Sequence, residues 1–183
     1  MVEKAILILG FRNVNIDNVD NFLKNVKTSI YPAIVQIIDA TRVAGEAHLF
    51  FAFLNAQKSF EDGRAISENL EMETLLFASG NKQISRAIEM LGLKPQTSDI
   101  AVIVFVLDKN EVKNVENKLI KVVSGTRDDS VLEIGRRGKI KNLMKTFGVT
   151  ELELKTVIGS GMKINEALTW LIVERVSLLS IKR

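Results

Sequence analysis

The sequence predicts a mixed α/β (α+β) fold: a small mixed central sheet of about four strands flanked by about seven or eight helices. Three observations predict it. Two continuous apolar runs, residues 5–9 and 100–107, have the length of strands and lack the alternation of a sheet with one wet face. Elsewhere the apolar period lengthens to that of a helix, and glycines fall where helices should stop. Cysteine is absent and only two prolines occur in 183 residues, so neither a disulfide scaffold nor a long linker competes with one packed core. The expectation is a single domain over residues 1–183.

The elements follow in order. Residues 5–9 read as a buried strand closed by Gly10. Asp17 can cap a short helix whose inner face is Val19, Phe22, Leu23 and Val26. After Pro32, residues 33–38 form a second β-branched strand. A helix is expected over 41–60, capped by Thr41, with Val43, Ala47, Phe50 and Leu54 on one stripe. Leu49, Phe53 and Phe60 form a neighbouring stripe, while His48, Asn55 and Ser59 share the polar side. Residues 69–91 read as two helices broken at Ser79-Gly80. Leu70, Thr74, Leu75 and Ala78 belong to the first; the second is capped by Asn81 and turns Ile84, Ala87, Ile88 and Leu91 inward. The run 100–107 is the central strand, covered on both faces. Residues 110–123 form a helix with Val112, Val115, Leu119 and Val122 inside. A short last strand over 131–134, a basic helix over 136–147, a small helix over 151–157 and a long terminal helix over 163–182 complete the chain.

Composition excludes several classes of chemistry. Without cysteine there is no thiolate nucleophile, zinc ribbon or iron–sulfur cluster. One histidine, His48, rules out multi-histidine metal sites and forces any histidine-based acid/base scheme through itself. Net charge is +3, but it is uneven: residues 1–109 carry 11 basic and 13 acidic groups, residues 110–183 carry 14 and 9. That balance permits nucleic-acid contact without demanding it. The N-terminal residues 1–6 lack the charged and apolar regions of a signal peptide, and the longest clean apolar run is eight residues. The expected location is the cytoplasm.

No catalytic constellation emerges. Ser160 in Gly159-Ser160-Gly161 matches neither a nucleophile elbow nor a dinucleotide loop. Gly135-Arg136-Arg137-Gly138-Lys139-Ile140 lacks the leading glycine and the Ser/Thr of a phosphate-binding P-loop. Asp128 and Asp129 could hold a divalent cation, but adjacent aspartates in a turn more often accept backbone amides. His48 has no carboxylate on its helix face and reads first as a hydrogen-bonded structural residue, second as a ligand contact. Neither a metal nor a cofactor is expected.

Two surfaces stand out. At the start of the second paired helix, Asn81, Lys82, Gln83 and Arg86 surround free backbone N–H groups, and Lys82 and Arg86 lie one turn apart. An anion site and an ordinary capped helix with solvated charges are both open readings. The terminal helix has an apolar arc too wide for one contact: Ile172, Val176 and Leu179 widen it on one side, Trp170 and Ile181 on the other. Either two neighbours cover it or part of it awaits another protein.

Several motifs together carry a family resemblance. They are Asp39-Ala40, Val43-Ala44-Gly45-Glu46-Ala47-His48, Asn69-Leu70-Glu71-Met72-Glu73, Ala78-Ser79-Gly80-Asn81-Lys82-Gln83-Ile84, Ala87-Ile88 with Gly92, and Asp128-Asp129-Ser130-Val131-Leu132. The chain resembles the kinase-associating subunit of the KEOPS (EKC) complex, a CGI-121-like family related to the animal PRPK-binding protein. Ala-Ser-Gly-x-x-Gln-Ile is the most specific element, and Lys82 stands where an arginine is frequent.

The resemblance implies a non-catalytic subunit that binds the N-terminal lobe of a small atypical kinase/ATPase and raises its activity. That complex makes threonylcarbamoyl-adenosine in tRNA, and archaeal relatives bind the 3′ CCA end of tRNA. On this reading Ile172, Val176 and Leu179 pack on the kinase, while Asn81, Lys82, Gln83 and Arg86, with His48, hold the tRNA end. The basic helix with Arg136, Arg137, Lys139, Lys141 and Lys145 could follow the tRNA backbone or be a solvated face. Two rival classes are a symmetric homo-oligomer and a His48-dependent enzyme.

Overall fold

The two most apolar runs of the chain lie side by side. Strand β1 (Ala5–Arg12) pairs antiparallel with β3 (Ile100–Val106) along its length. Strand β2 (Ile34–Asp39) pairs with the other edge of β3, and the two-residue β4 (Thr126–Arg127) pairs with Phe11 and Arg12. The sheet order is β2-β3-β1-β4, antiparallel throughout. A computed structural model describes residues 3–135, 138–159 and 161–179.

Alternation along each strand puts Leu9, Phe11, Val35, Ile37, Val102 and Val104 on one face. Helices α1 (Val19–Ile30) and α5 (Val112–Val122) cover that face with Val26, Ile30, Val115 and Leu119. Each such side chain contributes about 1.5–3 kcal/mol on full burial. Every residue of β3 is buried, which is why its run shows no alternation. Helix α1 starts one residue later than expected. Asn18, not Asp17, caps it by accepting the N–H of Asn21 at 2.9 Å, and Asp17 accepts from the Asn15 side chain instead.

The last strand expected over 131–134 is a 3₁₀ turn, Asp129–Leu132. Two carboxylates cause the change. Asp129 Oδ1 accepts the N–H of Gly10 at 2.7 Å, and Asp128 Oδ1 accepts the N–H of Ser130 at 3.0 Å. A Cβ on Gly10 would lie 2.6 Å from the Asp128 carbonyl oxygen, so only glycine lets β1 approach this turn. Arg12 pairs with Asp128, and Arg127 bridges Asp129 to Glu116. Among the described residues no group of three His, Cys, Asp or Glu could hold a metal ion.

The chain divides into two compact units: the sheet unit, residues 1–40 and 92–131, and a helical unit, residues 41–91 and 132–183. The helical unit contains α2 (Glu46–Glu61), α3 (Leu70–Ser79), α4 (Ile84–Leu91), α6 (Lys139–Phe147), α7 (Glu151–Ile158) and α8 (Ile164–Leu178). The helix expected from Thr41 starts at Glu46, because Gly45 sits at φ +90°, outside the helical region. The shift removes Val43 from the helix, so the predicted stripe does not form. Phe50 and Leu54 reach the surface, while His48, Leu49, Ala52, Phe53 and Ala56 turn inward.

Helix α3 is the centre of this unit; Glu73 through Ser79 are all buried, and α2, α4 and α8 pack on it. Helix α8 packs on α2, α3, α6 and α7. A capping box, Thr150 with Glu153, starts α7, and Arg175 of α8 reaches Glu153 at 2.8 Å and the Gly148 carbonyl at 3.2 Å. The expected basic helix is shorter: α6 begins at Lys139, which is buried and donates to the Leu132 carbonyl at 3.1 Å. Arg136, Arg137, Ser160 and Ile181 lie outside the described residues. Among the described residues no helix is long and apolar enough to cross a membrane.

Candidate functional site

A cleft of about 410 Å³ opens in the helical unit. Asn55, Lys58 and Ser59 reach it from the second half of α2, and Arg64 and Ile66 from the loop that follows. Glu73 and Phe77 of α3, Lys82 beyond its end and Leu179 close to the end of α8 complete the walls.

Local sequence explains how α3 presents these groups. Asn69 caps it by accepting the Met72 N–H at 2.9 Å, and Gly80 ends it in the left-handed region at φ +64°. The N–H of Asn81 then returns to the Leu76 carbonyl at 3.2 Å, closing a Schellman-type stop that sends Lys82 out beside the cleft.

Glu73 is the unusual wall. It is fully buried on an otherwise apolar stretch of helix. Its Oε2 accepts the backbone N–H groups of Ile66 and Ser67 at 3.0 and 2.9 Å, which folds the α2–α3 loop against α3. Its Oε1 is buried with no hydrogen-bond partner among the described residues. Around it stand three cations. Lys58 and Arg64 both pair with Asp62, whereas Lys82 has no carboxylate partner among the described residues. The Arg64 hydrogen bond, with the Lys58 and Arg64 charges, holds the Asp62 carboxyl below its ordinary range.

The residues expected to form the nucleic-acid site separate here. Lys82 lines the cleft. Gln83 and Arg86 follow it in the chain and are exposed, outside the cleft wall. Asn81 does not cap α4; its amide donates to Met90 Sδ at 3.1 Å and its backbone N–H serves the α3 stop. His48 is 0% exposed. Its Nδ1 accepts the Ala44 N–H at 3.1 Å, so Nε2 carries the proton and donates to the Ala78 carbonyl at 2.8 Å. Both ring nitrogens are used and the ring packs edge-on against Phe147, so it reaches neither RNA nor a substrate. Burial pushes its pKa down to about 4, a shift that the Lys139 charge reinforces and the Ala78 hydrogen bond opposes. A His48-dependent enzyme has no route to its substrate in this arrangement.

The side chains expected to form a partner surface on the terminal helix are buried. Ile172 and Val176 are 0% exposed and Leu179 is 4% exposed, because four helices rather than two cover α8. Ile172 and Val176 are core side chains of the helical unit, and Leu179 has only its cleft-facing edge left. The apolar groups left at the surface are Trp170, 44% exposed, and Phe50, 39% exposed. Phe51 bridges them, with ring centroids 5.8 Å from Phe50 and 5.9 Å from Trp170. Leu54, one turn from Phe50, is also exposed.

A family described as kinase binding protein CGI-121 matches residues 11–180. The chain belongs to the CGI-121 kinase-binding family. The regulatory protein Cgi121 of Methanocaldococcus jannaschii is 31% identical to it over 144 residues, 78% of this chain and 86% of that protein. The CGI-121 resemblance read from the motifs is therefore shown. Within this CGI-121 chain, the Ala78–Ile84 motif lies at the helix stop that delivers Lys82, and His48 holds that stop from behind.

Sequence reasoning missed Lys58, Arg64 and Glu73. One signal was present for Glu73: a carboxyl followed directly by Thr74-Leu75-Leu76-Phe77-Ala78, a helix apolar on every side, must be buried. No comparable signal marks Lys58, on the second half of α2, or Arg64, in the loop that follows.

Proposed function

We propose that this chain is a non-catalytic regulatory subunit of the KEOPS complex, acting in the cytoplasm on the small atypical kinase/ATPase and on tRNA. It binds and activates the kinase, and it helps recruit tRNA by its 3′ CCA end for threonylcarbamoyl-adenosine modification. The observation that carries the reading is the cleft with Lys82, a cation without a carboxylate partner among the described residues, in a chain of a kinase-binding family.

Two groups of residues in the helical unit divide the work. Phe50, Phe51 and Trp170, with Leu54, offer an aromatic strip to the kinase lobe, in place of the buried Ile172, Val176 and Leu179. Lys58, Arg64 and Lys82 supply positive potential for the phosphates of a single-stranded RNA end, and the exposed Gln83 and Arg86 extend it. Phe77, Ile66 and Leu179 give the bases apolar walls. Docking and charge, not turnover, are the mechanism.

The test is chromatography of the purified chain with its kinase and with tRNA carrying or lacking the 3′ CCA. Co-elution with the kinase, and with intact tRNA in preference to truncated tRNA, is expected. Failure to elute with the kinase would contradict the regulatory role; equal retention of both tRNAs would contradict recruitment by the 3′ end.

A further inference from the structure

Two of the three cleft cations share one carboxylate. Lys58 Nζ lies 3.7 Å from Asp62 Oδ2, one turn along α2, and the Arg64 guanidinium bonds to the same oxygen. The local sequence builds this arrangement. Asp62 caps the C-terminus of α2, its backbone N–H returning to the Lys58 carbonyl at 2.9 Å. Gly63 then turns the chain in the left-handed region at φ +65°, and the Arg64 N–H returns to the Ser59 carbonyl at 2.8 Å. Arg64 is thereby folded back beside Asp62 at the end of the helix. Lys58 and Arg64 line the cleft, whereas Asp62 does not. A carboxylate outside the wall thus draws on two cations that belong to it.

An anion in the cleft has to share Lys58 and Arg64 with Asp62 or displace it, and the Asp62 charge also repels it. The two pairs are open to water, with side-chain exposures of 70% for Lys58, 33% for Asp62 and 44% for Arg64. Such pairs are weak and screened by salt, so a polyanion can open them. We propose that Asp62 is an autoinhibitory contact of the cleft: it engages Lys58 and Arg64 until phosphates take its place. The inference rests on the reading that this cleft takes an RNA end, and it adds what restrains the site. Lys82, which has no carboxylate partner among the described residues, is the cation available before the pairs open.

The experiment is fluorescence anisotropy with a 5′-labelled oligoribonucleotide ending in CCA, titrated with the wild-type chain, Asp62→Asn and Glu61→Gln at about 50 to 200 mM salt. Asparagine keeps the shape of the side chain and the backbone cap but not the charge. Glu61→Gln removes one charge from the neighbouring position; Glu61 accepts from the Gln57 amide and forms no ion pair with Lys58 or Arg64 among the described residues. Asp62→Asn should bind about fivefold more tightly at the lowest salt, with the slope of log K against log salt steeper by about one. Glu61→Gln should stay within about twofold of wild type. Unchanged or weaker binding by Asp62→Asn overturns the restraint and leaves the RNA reading standing. Equal tightening by the two variants reduces the effect to net charge and overturns the restraint as well. Binding by neither wild type nor Asp62→Asn overturns the RNA reading and the inference together.

Discussion

His48 Nε2 donates to the carbonyl of Ala78 at 2.8 Å, across 30 residues of sequence. The same ring accepts the N–H of Ala44 through Nδ1, so one imidazole ties the entry of α2 to the last turn of α3. Two residues beyond Ala78 the chain turns at Gly80, and two further on stands Lys82. The histidine therefore braces the helix stop that delivers Lys82 to the cleft.

This bond predicts an acid sensitivity. The folded pKa of His48 is about 4, below the ordinary 6.5. The unfolded chain thus takes up a proton that the folded chain refuses. Stability is full above pH 6.5 and falls as the pH drops towards 4, by roughly 3 kcal/mol in all. Carboxylates such as Glu153 also begin to titrate below about pH 5, so replacing the chain's one histidine is the control that separates its share. Urea midpoints measured at pH 7 and pH 4.5 should differ for wild type and differ much less for His48→Gln. Equal pH slopes for the two proteins would remove the burial argument.

Trp170→Asp should abolish co-elution with the kinase and leave thermal unfolding nearly unchanged, since Trp170 is half exposed. Ile172→Asp should instead unfold the helical unit, at a cost of about 3 kcal/mol or more for a buried unpaired charge. A folded Ile172→Asp protein with lost kinase binding would return the interface to the other side of α8.

Glu73→Leu leaves the buried N–H of Ser67 and the part-buried N–H of Ile66 without their acceptor. A loss of about 1–3 kcal/mol is expected, chiefly from the orphaned Ser67 donor, read as a lower guanidinium midpoint. Faster proteolysis in the loop 62–69 should accompany it. A neutral effect would mean that water serves those amides.

In the sheet unit, Gly10→Ala forces a methyl against the Asp128 carbonyl and the Val131 side chain. The substitution should cost about 1–3 kcal/mol through overpacking, measurable by chemical denaturation. An unchanged midpoint would show that the 129–132 turn gives way freely.

Much of the fold was legible because periodicity is a direct record of burial. The runs that became β1 and β3 have no polar residue to place outside, and the glycine after Ser79 stops α3 as expected. Strand direction was not legible, since a run apolar on both faces carries no mark of its partner's sense. The start of α2 was misread because Gly45 breaks a stripe that letters alone continue through Val43. The strand over 131–134 was misread because Asp129 reaches Gly10, a contact 119 residues apart. Ile172 and Val176 show the limit most clearly: a wide apolar arc looks the same in sequence whether four helices cover it or a partner does. At the site, local composition found Lys82, but the cleft it joins is assembled from α2, α3 and the end of α8.

The most direct measurement is the salt dependence of tRNA binding by the wild-type chain and by Lys82→Glu, with kinase binding followed in parallel. Reversal at Lys82 should weaken tRNA at every salt concentration and lower the slope of log K against log salt by about one. The kinase should bind both proteins alike. An unchanged tRNA affinity and slope, with the protein folded, would contradict the assignment of this cleft to RNA.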